Sequence, residues 1–124
     1  MRILLIATLA LNLLVEAPVG LMLTFAQDPA AETMVAFWSR NYGVAVLAIS
    51  TLIFWVWRWR DDLGVMTVAL GFLMTFHTLL ATALIASGIQ QGGAILHTVL
   101  AVGFIVLFLR RRSWCNGEES PVAT

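Results

Sequence analysis

Several polar side chains lie inside or at the edge of long apolar stretches of this sequence. They are Asn12, Glu16, Arg40, Asn41, His77 and His97. The first two are four positions apart, so both fall on one face of a helix. A charged side chain at the centre of a membrane helix costs about 2.5–3.5 kcal/mol on insertion scales. Residues retained against that cost are therefore candidates for a function.

Carboxylate, guanidinium and imidazole groups allow four kinds of chemistry. In the first, Glu16 pairs with Arg40 or a histidine in a structural network between helices. Alternatively, Glu16 and His77 anchor a small molecule or lipid in a pocket, or they exchange protons as acid and base. A zinc site of Glu16 and both histidines is the fourth option, but the depths expected for His77 and His97 differ and disfavour it.

Depth in the membrane follows from the helical rise of about 1.5 Å per residue. This rise puts Glu16 and His77 slightly past the middle, toward the outer side. His97 is expected about one turn below the outer surface, and Arg40 at that surface. We therefore treat the six polar residues as one hypothetical ligand-binding set in the outer half of the membrane. We assign no catalytic residue, no metal ligand and no cofactor.

The amino-acid composition indicates the class of protein that contains these residues. Of the 124 residues, 60% are hydrophobic and 11% are charged, and the mean hydropathy is +0.92. Soluble domains have roughly 45–50% apolar and about 25% charged residues. These figures exclude an ordinary soluble enzyme, a disordered chain and a nucleic-acid binder, and they predict an integral membrane protein.

Hydropathy predicts an all-α membrane protein, a bundle of four transmembrane helices forming a single domain over residues 1–112. The expected spans are 3–25, 42–57, 63–87 and 94–109. Residues 29–41 are expected to form an interfacial helix or an extension of the second span, and 113–124 a disordered cytoplasmic tail. The first span is too long for a signal-peptide core, and it carries Asn12 and Glu16, so we expect it to be retained.

Arginine placement predicts the orientation. With four spans, six of the seven basic residues fall on one side, and Arg40 alone falls on the other. The positive-inside rule then puts both termini in the cytoplasm, in the plasma or inner membrane. Trp55, Trp57, Trp59 and Trp114 fall near the same boundary, as membrane anchors do.

Two stripes of small residues predict close helix contacts. They are Thr67, Gly71, Thr75, Thr78 and Thr82 on the third span, and Gly43, Leu47 and Ser50 on the second. The single cysteine, Cys115, cannot form an internal disulfide. We expect it to be an inert thiol, the alternative being a reactive or lipidated one because three arginines precede it.

Two segments carry a family resemblance. The sequence FWSRNYGVAVLAIS at 37–50 resembles the start of helix two in the small four-helix scaffold proteins of sterol biosynthesis, and it is similar to DoxX-like membrane proteins. The sequence FHTLLATALIASG at 76–88 resembles the histidine-bearing helix of the scaffold family, with Phe76 in place of a glycine. The resemblance spans residues 37–110, and its matched positions are Arg40, Gly43 and His77.

The resemblance implies a four-helix bundle with both termini inside. The scaffold family tethers biosynthetic enzymes, and DoxX-like proteins include partners of oxidoreductases. Neither family supplies a catalytic residue set. The expected function is a non-enzymatic structural, accessory or scaffold subunit, whose partners are the bilayer, other membrane proteins or a second copy. The alternative is a binder, transporter or enzyme for a lipid-like small molecule at Glu16, Arg40, His77 and His97. No nucleic-acid partner is expected.

Overall fold

The computed structural model describes residues 1–26 and 29–115, and its regular elements are all helices. They are α1 (Arg2–Phe25), α2 (Thr33–Ser50), α3 (Leu52–Val56), α4 (Leu63–Ser87) and α5 (Gln91–Arg110), with 3-10 turns at Trp57–Trp59 and Arg111–Ser113. Four helical segments are long and apolar enough to cross a membrane, namely Arg2–Phe25, Thr33–Trp59, Leu63–Ser87 and Gln91–Ser113. The prediction of an all-helical chain with four helices long and apolar enough to span a membrane is confirmed for the described residues.

The second apolar segment begins at Thr33 and runs for 27 residues. Residues 33–41 therefore extend it, which is one of the two arrangements expected for 29–41, and they form no separate interfacial helix. No breaker interrupts the chain there. The interruption comes at Ser50 and Thr51, whose hydroxyls donate to the carbonyls of Leu47 and Ala48 at 2.8 Å. Such local bonds compete with the helical backbone pattern.

The helices group into two compact units. The first unit comprises Ile6–Trp55, and the second comprises Met1–Leu5 together with the chain from Val56 onward. In the first unit, α1 and α2 approach closely at two glycines. A Cβ built on Gly43 would lie 2.6 Å from Thr24 Oγ1, and one on Gly20 would lie 2.8 Å from Leu47 Cγ. Small residues permit this approach in lipid, and the contact predicted for Gly43 and Leu47 is confirmed.

In the second unit, α4 and α5 form an antiparallel hairpin. Asp62 caps α4 by accepting a hydrogen bond from the Val65 amide at 2.7 Å. Gly88 ends α4 with φ 67°, a left-handed conformation that favours glycine. The packed face has no solvent exposure at Met66, Leu70 and Leu73 on α4 or at Leu100, Phe104 and Leu107 on α5. These positions recur every three or four residues, as helix packing requires.

Arg111 bonds the two helices together at the end of the hairpin opposite the turn. Its Nε donates to Thr67 Oγ1 at 2.8 Å and its Nη1 to the Phe108 carbonyl at 2.6 Å. The guanidinium also lies 4.0 Å from the centroid of the Phe108 ring. Phe108 in turn contacts Gly71, where an added Cβ would lie 3.4 Å from the ring. Thr67 and Gly71 therefore form part of a helix contact, as predicted.

Residues 113–115, at the start of the expected disordered tail, are ordered. The 3-10 turn runs to Ser113, and the Cys115 amide donates to the Arg111 carbonyl at 2.9 Å. Cys115 is only 8% exposed, with its sulfur 4.0 Å from the Arg60 carbonyl oxygen. These contacts order residues 113–115. The rest of the predicted tail, 116–124, lies outside the described residues.

Replacing Gly43 by alanine tests the contact between α1 and α2. Because the added Cβ would also lie 2.8 Å from the Thr24 backbone nitrogen, a helix must shift. We expect the free energy of unfolding to fall by about 1–3 kcal/mol, as for other overpacked sites. The measurement is reversible unfolding of the purified protein in detergent.

Gly92→Ala is the matched control, because nothing lies within 4 Å of a Cβ built there. It should leave stability unchanged or slightly raised, since alanine favours helix over glycine. Equal stability of the Gly43 and Gly92 variants would contradict the close approach of α1 and α2.

Candidate functional site

The structure joins two of the predicted site residues directly. His77 on α4 and His97 on α5 lie with their Nδ1 atoms 2.9 Å apart, a normal hydrogen-bond distance. The rings are nearly parallel, at 26°, with centroids 5.2 Å apart. His77 has no solvent exposure and His97 is 7% exposed. We call these two residues the histidine pair.

The position of the histidine pair follows from the hairpin. His77 extends the packed face of α4 by one turn beyond Leu73, and His97 begins the packed face of α5 before Leu100. His77 lies ten residues before the last residue of α4, Ser87, and His97 lies six residues after the first residue of α5, Gln91. In an antiparallel hairpin, positions at similar distances from the turn lie at similar levels, so these two positions are within about one helical turn of each other.

The expected difference in depth between the two histidines is therefore wrong. It rested on a glycine-rich turn over 88–93 and a fourth span that began at residue 94. Instead α5 begins at Gln91, which adds about 4.5 Å of helix before His97. Gly93 lies in the first turn of α5, where an added Cβ would meet Leu84 Cδ1 at 3.2 Å. That glycine allows a close helix contact and does not mark a loop.

Aromatic rings hold the histidine pair in place. Phe104 stacks on His77 with centroids 5.3 Å apart and an interplanar angle of 16°. Phe76 meets both imidazoles edge-on, at 5.0 Å from His77 and 6.4 Å from His97. Rings confined on their faces and edges have little freedom to rotate. The Nδ1 atoms are therefore directed at each other by packing as well as by their hydrogen bond.

The hydrogen bond fixes the protonation pattern of the pair. One Nδ1 must carry a proton and donate it, while the other Nδ1 accepts. A neutral donor ring then has an unprotonated Nε2, and a neutral acceptor ring has a protonated Nε2. The pair thus presents one acceptor nitrogen and one donor nitrogen at its outer ends, without any net charge in the membrane interior.

The same two nitrogens have the geometry to ligate a metal. With metal–nitrogen bonds of about 2.0–2.1 Å, the 2.9 Å separation corresponds to an angle near 90° at the metal. A tetrahedral ion such as zinc needs nitrogens about 3.3 Å apart, so the rings would have to separate slightly. A hydrogen bond uses the observed distance without any such movement, and it is the simpler role for the pair.

Asn12 and Glu16 lie on the buried face of α1, as their spacing predicted. Asn12 is 1% exposed and Glu16 is 2% exposed. Leu9, also buried, precedes Asn12 on the same face, and Gly20 follows Glu16 one turn later. A carboxyl group and a carboxamide are therefore withdrawn from the surface on a single helix. Burial of this kind requires polar partners inside the protein.

Arg40 and Asn41 do not join the buried residues. Both are exposed, and the Asn41 side chain donates to the Phe37 carbonyl of its own helix at 2.8 Å. The buried face of α2 passes through Gly43, Val46 and Ser50, and Arg40 lies to one side of it. Over residues 1–26 and 29–115, Arg40 forms no ion pair, so the expected Glu16–Arg40 pair is not found.

The role of Arg111 was not predicted from the sequence. Arg110–Arg112 were assigned to membrane orientation, whereas Arg111 is bonded to Thr67 across the hairpin. Thr67 was assigned to the small-residue stripe of α4. Counting outward from the turn brings both residues to the far end of the hairpin, and that count could have suggested the contact.

Cys115 has the environment of an unreactive thiol. Burial, together with the nearby carboxylates of Asp61 and Asp62 and against a lowering by Arg111, raises its pKa from 9.0 to about 11. The thiolate is the nucleophile in alkylation. The expectation of an inert thiol therefore has a physical basis in burial and in the acidic turn before α4.

Alkylation of Cys115 by iodoacetamide tests this environment, and the chain has no second thiol. Below pH 9 the shift from 9.0 to about 11 lowers the thiolate fraction about a hundredfold. We expect the folded chain to react at least that much more slowly than the unfolded chain, with a rate that still rises between pH 9 and 11. A folded-state rate that levels off near pH 9 would contradict the buried environment.

The same shift has a consequence for stability. Folding favours the protonated thiol, so the stabilisation is present below pH 9 and is lost as the pH rises toward 11. A chain with Cys115→Ser should lose this pH dependence. Unfolding measured across that interval checks the sign.

A double-mutant cycle tests the histidine pair. His97→Leu leaves His77 without this hydrogen-bond partner, so we expect unfolding to be easier by about 1–3 kcal/mol. The double variant His77→Leu, His97→Leu should lose less stability than the sum of the single variants, with a coupling of about 0.5–3 kcal/mol. The readout is the free energy of unfolding in detergent.

Thr98→Val is the matched control for the cycle, because the Thr98 hydroxyl donates to the Ala94 carbonyl of its own helix at 2.7 Å. Its effect should add to that of His77→Leu. Zinc titration separates the two chemistries of the pair: ligand binding raises the unfolding midpoint. A rise in the wild type that both single variants lose would assign the pair to a metal.

Comparison with known proteins leaves the site to be interpreted from its own residues. No protein-family model, curated protein or solved structure matches this chain.

Proposed function

We propose that this chain is a multi-pass protein of the plasma or inner membrane that acts as a non-enzymatic structural or accessory subunit. Both termini face the cytoplasm, and the partner is another membrane protein or a second copy of the chain. The resemblance to the sterol-biosynthesis scaffold and DoxX-like families points the same way. Of the matched positions, Gly43 lies in a helix contact and His77 in the histidine pair.

The observation that carries the proposal is the enclosure of the histidine pair. A ligand-binding or catalytic histidine needs a nitrogen directed toward a space that the substrate can enter. Here the two Nδ1 atoms face each other at 2.9 Å, and the rings are almost fully buried. Groups arranged in this way stabilise a helix pair, which is the work of a structural protein.

The orientation is supported by contacts within the second unit. Arg2 forms an ion pair with Asp61 at 3.0 Å, and Cys115, just after the last three arginines, contacts Arg60. Six of the seven arginines thus belong to one end of this unit. A concentration of arginine at one membrane boundary favours the cytoplasmic side for that end.

The binding surface we propose is the exposed half of the small-residue stripe on α4. Thr75, Thr78 and Thr82 are exposed, whereas Thr67 and Gly71 of the same stripe contact α5 residues. The Thr82 hydroxyl is already bonded to the Thr78 carbonyl at 2.8 Å. This face carries small side chains, so a second transmembrane helix can approach it closely.

A second candidate function is favoured by the burial of Asn12 and Glu16. A buried carboxyl group and carboxamide on one helix face are suitable anchors for the polar end of a lipid-like molecule. In this alternative the chain binds, transports or modifies that molecule. A molecule that co-purifies at a fixed ratio, with no partner protein, would favour this alternative over the subunit.

Purification in native-lipid particles tests the proposal. We expect one membrane protein, or a second copy of the chain, to co-elute at a fixed ratio. Thr78→Ile adds bulk to the proposed surface and should reduce recovery of that partner at least tenfold. Ala83→Ile is the matched control, because Ala83 is exposed and lies three or four residues from none of the stripe threonines.

The comparison requires that wild type and both variants have the same thermal stability. Loss of the partner in both variants would show that added bulk anywhere on α4 disturbs binding, and it would contradict the assigned face. Elution of the wild-type chain as a monomer without protein partners would overturn the subunit proposal.

A further inference from the structure

One end of the second unit gathers most of the basic residues of the chain. Three segments contribute, namely the start of α1, the turn before α4 and the end of α5. The arginines are Arg2, Arg58, Arg60, Arg110, Arg111 and Arg112, and we call them the arginine end. Only Arg40 of the seven basic residues lies elsewhere.

Contacts hold the three segments side by side. Arg2 Nη2 bonds to Asp61 Oδ1 at 3.0 Å, which ties the start of α1 to the turn before α4. Cys115 Sγ lies 4.0 Å from the Arg60 carbonyl oxygen, and the Cys115 amide bonds to the Arg111 carbonyl. The end of α5 therefore packs against the same turn. The arginines form a spatial cluster as well as a pattern in the sequence.

The acidic groups of this end are already engaged. Asp61 pairs with Arg2, and Asp62 Oδ1 accepts the Val65 amide hydrogen as the cap of α4. Six arginines against these two aspartates leave an excess of four positive side chains in the described part of this end. Such an excess at a membrane boundary attracts anionic groups.

The arginines divide into two classes. Arg2, Arg60 and Arg111 make bonds within the protein, although the Arg2 side chain is 69% exposed. Arg60 donates to the Trp57 carbonyl at 3.1 Å and lies 5.0 Å from the Trp57 ring centroid. The side chains of the other three are exposed and have no hydrogen bond or ion pair among residues 1–26 and 29–115. They are Arg58, Arg110 and Arg112. Three guanidinium groups are thus available to an external anion.

The tryptophans indicate the depth of this cluster. Trp57 is 39% exposed and Trp59 is 54% exposed, and both alternate with arginines in the turn before α4. Tryptophan side chains concentrate at the level of lipid headgroups. Guanidinium groups on the same turn lie at the level of the lipid phosphates, which they bind in a planar, bidentate manner.

We propose that the arginine end binds the phosphate groups of anionic phospholipids, with Arg58, Arg110 and Arg112 as the ligating side chains. The bonded arginines Arg2, Arg60 and Arg111 fix the three segments around the site. Zwitterionic phospholipids carry the same phosphate but also a cationic headgroup, so they bind less well. The site is separate from the proposed partner surface on α4 and from the histidine pair.

Lipid retention by the full chain tests the proposal. The protein is reconstituted with equal amounts of phosphatidylglycerol and phosphatidylcholine, and the lipids that remain bound are counted by native mass spectrometry. We expect wild type to retain phosphatidylglycerol selectively. Arg58→Gln, Arg110→Gln and Arg112→Gln should each reduce this retention, by about fivefold per arginine near an anionic surface. Added salt should reduce it further.

Arg40→Gln is the matched control, because it removes the same charge from the other end of the Thr33–Trp59 segment. It should leave phosphatidylglycerol retention unchanged. Equal loss in the Arg40 variant, or full retention when all three ligating arginines are replaced, would overturn the proposal. Inorganic phosphate is the competitor: if millimolar phosphate binds as well as the lipid does, the site recognises a free anion and the lipid assignment is wrong.

Two further measurements, the stability of each variant and the recovery of the partner protein, are needed to interpret the lipid-retention result. The unfolding midpoint of each variant is measured in phosphatidylcholine alone, where no loss is expected because the replaced side chains make no hydrogen bond or ion pair with another described residue. If the triple variant unfolds there, the single variants carry the test. Partner recovery is measured with Thr78→Ile, so the lipid proposal and the subunit proposal can fail separately.

Discussion

Hydrocarbon offers no hydrogen bonds, and this absence governs how the chain places its polar side chains. Every such group in a span needs a partner supplied by the protein itself. Threonine hydroxyls meet the demand locally, as Thr24 does with the Gly20 carbonyl at 2.7 Å. The histidines meet it across the hairpin by bonding to each other. Arg111 does so at the boundary, with Thr67 and its own helix end.

The same constraint explains the kind of packing in each unit. Between helices in lipid, the hydrophobic effect contributes little, so close van der Waals contact and hydrogen bonds must supply the attraction. The first unit uses two glycines that let α1 and α2 approach to backbone contact. The second unit uses a face of large apolar side chains that ends in the histidine pair. The two solutions differ because α4 and α5 are joined by a short turn, which sets their register.

The four helices long enough to span a membrane were predictable because the hydropathy of a segment depends only on the residues that it contains. The helix boundaries were less predictable, because a glycine can either end a helix or allow a close contact inside one. Gly88 ends α4 by its positive φ, as a turn residue does. Gly93, five residues later, lies inside α5 and makes room for Leu84. The sequence does not distinguish these uses, and the error moved His97 by about one helical turn.

The candidate site shows the same division between what was predictable and what was not. The position of Asn12 and Glu16 on one face of α1, which is buried, agrees with their spacing of four residues. The exposure of Arg40 was not predictable, because a residue at the end of an apolar stretch can face either side of its helix. Pairing across the hairpin depends on the length of a turn, which only the structure provides.

The hairpin register also bears on how the chain enters the membrane. His77 is made first, and while α4 stands alone its imidazole would face hydrocarbon without the partner that α5 carries twenty residues later. A translocation channel that released α4 before α5 was complete would therefore leave a polar group in lipid. Release of both helices together avoids that state. The histidine pair thus makes the α4–α5 hairpin a natural unit of insertion during synthesis.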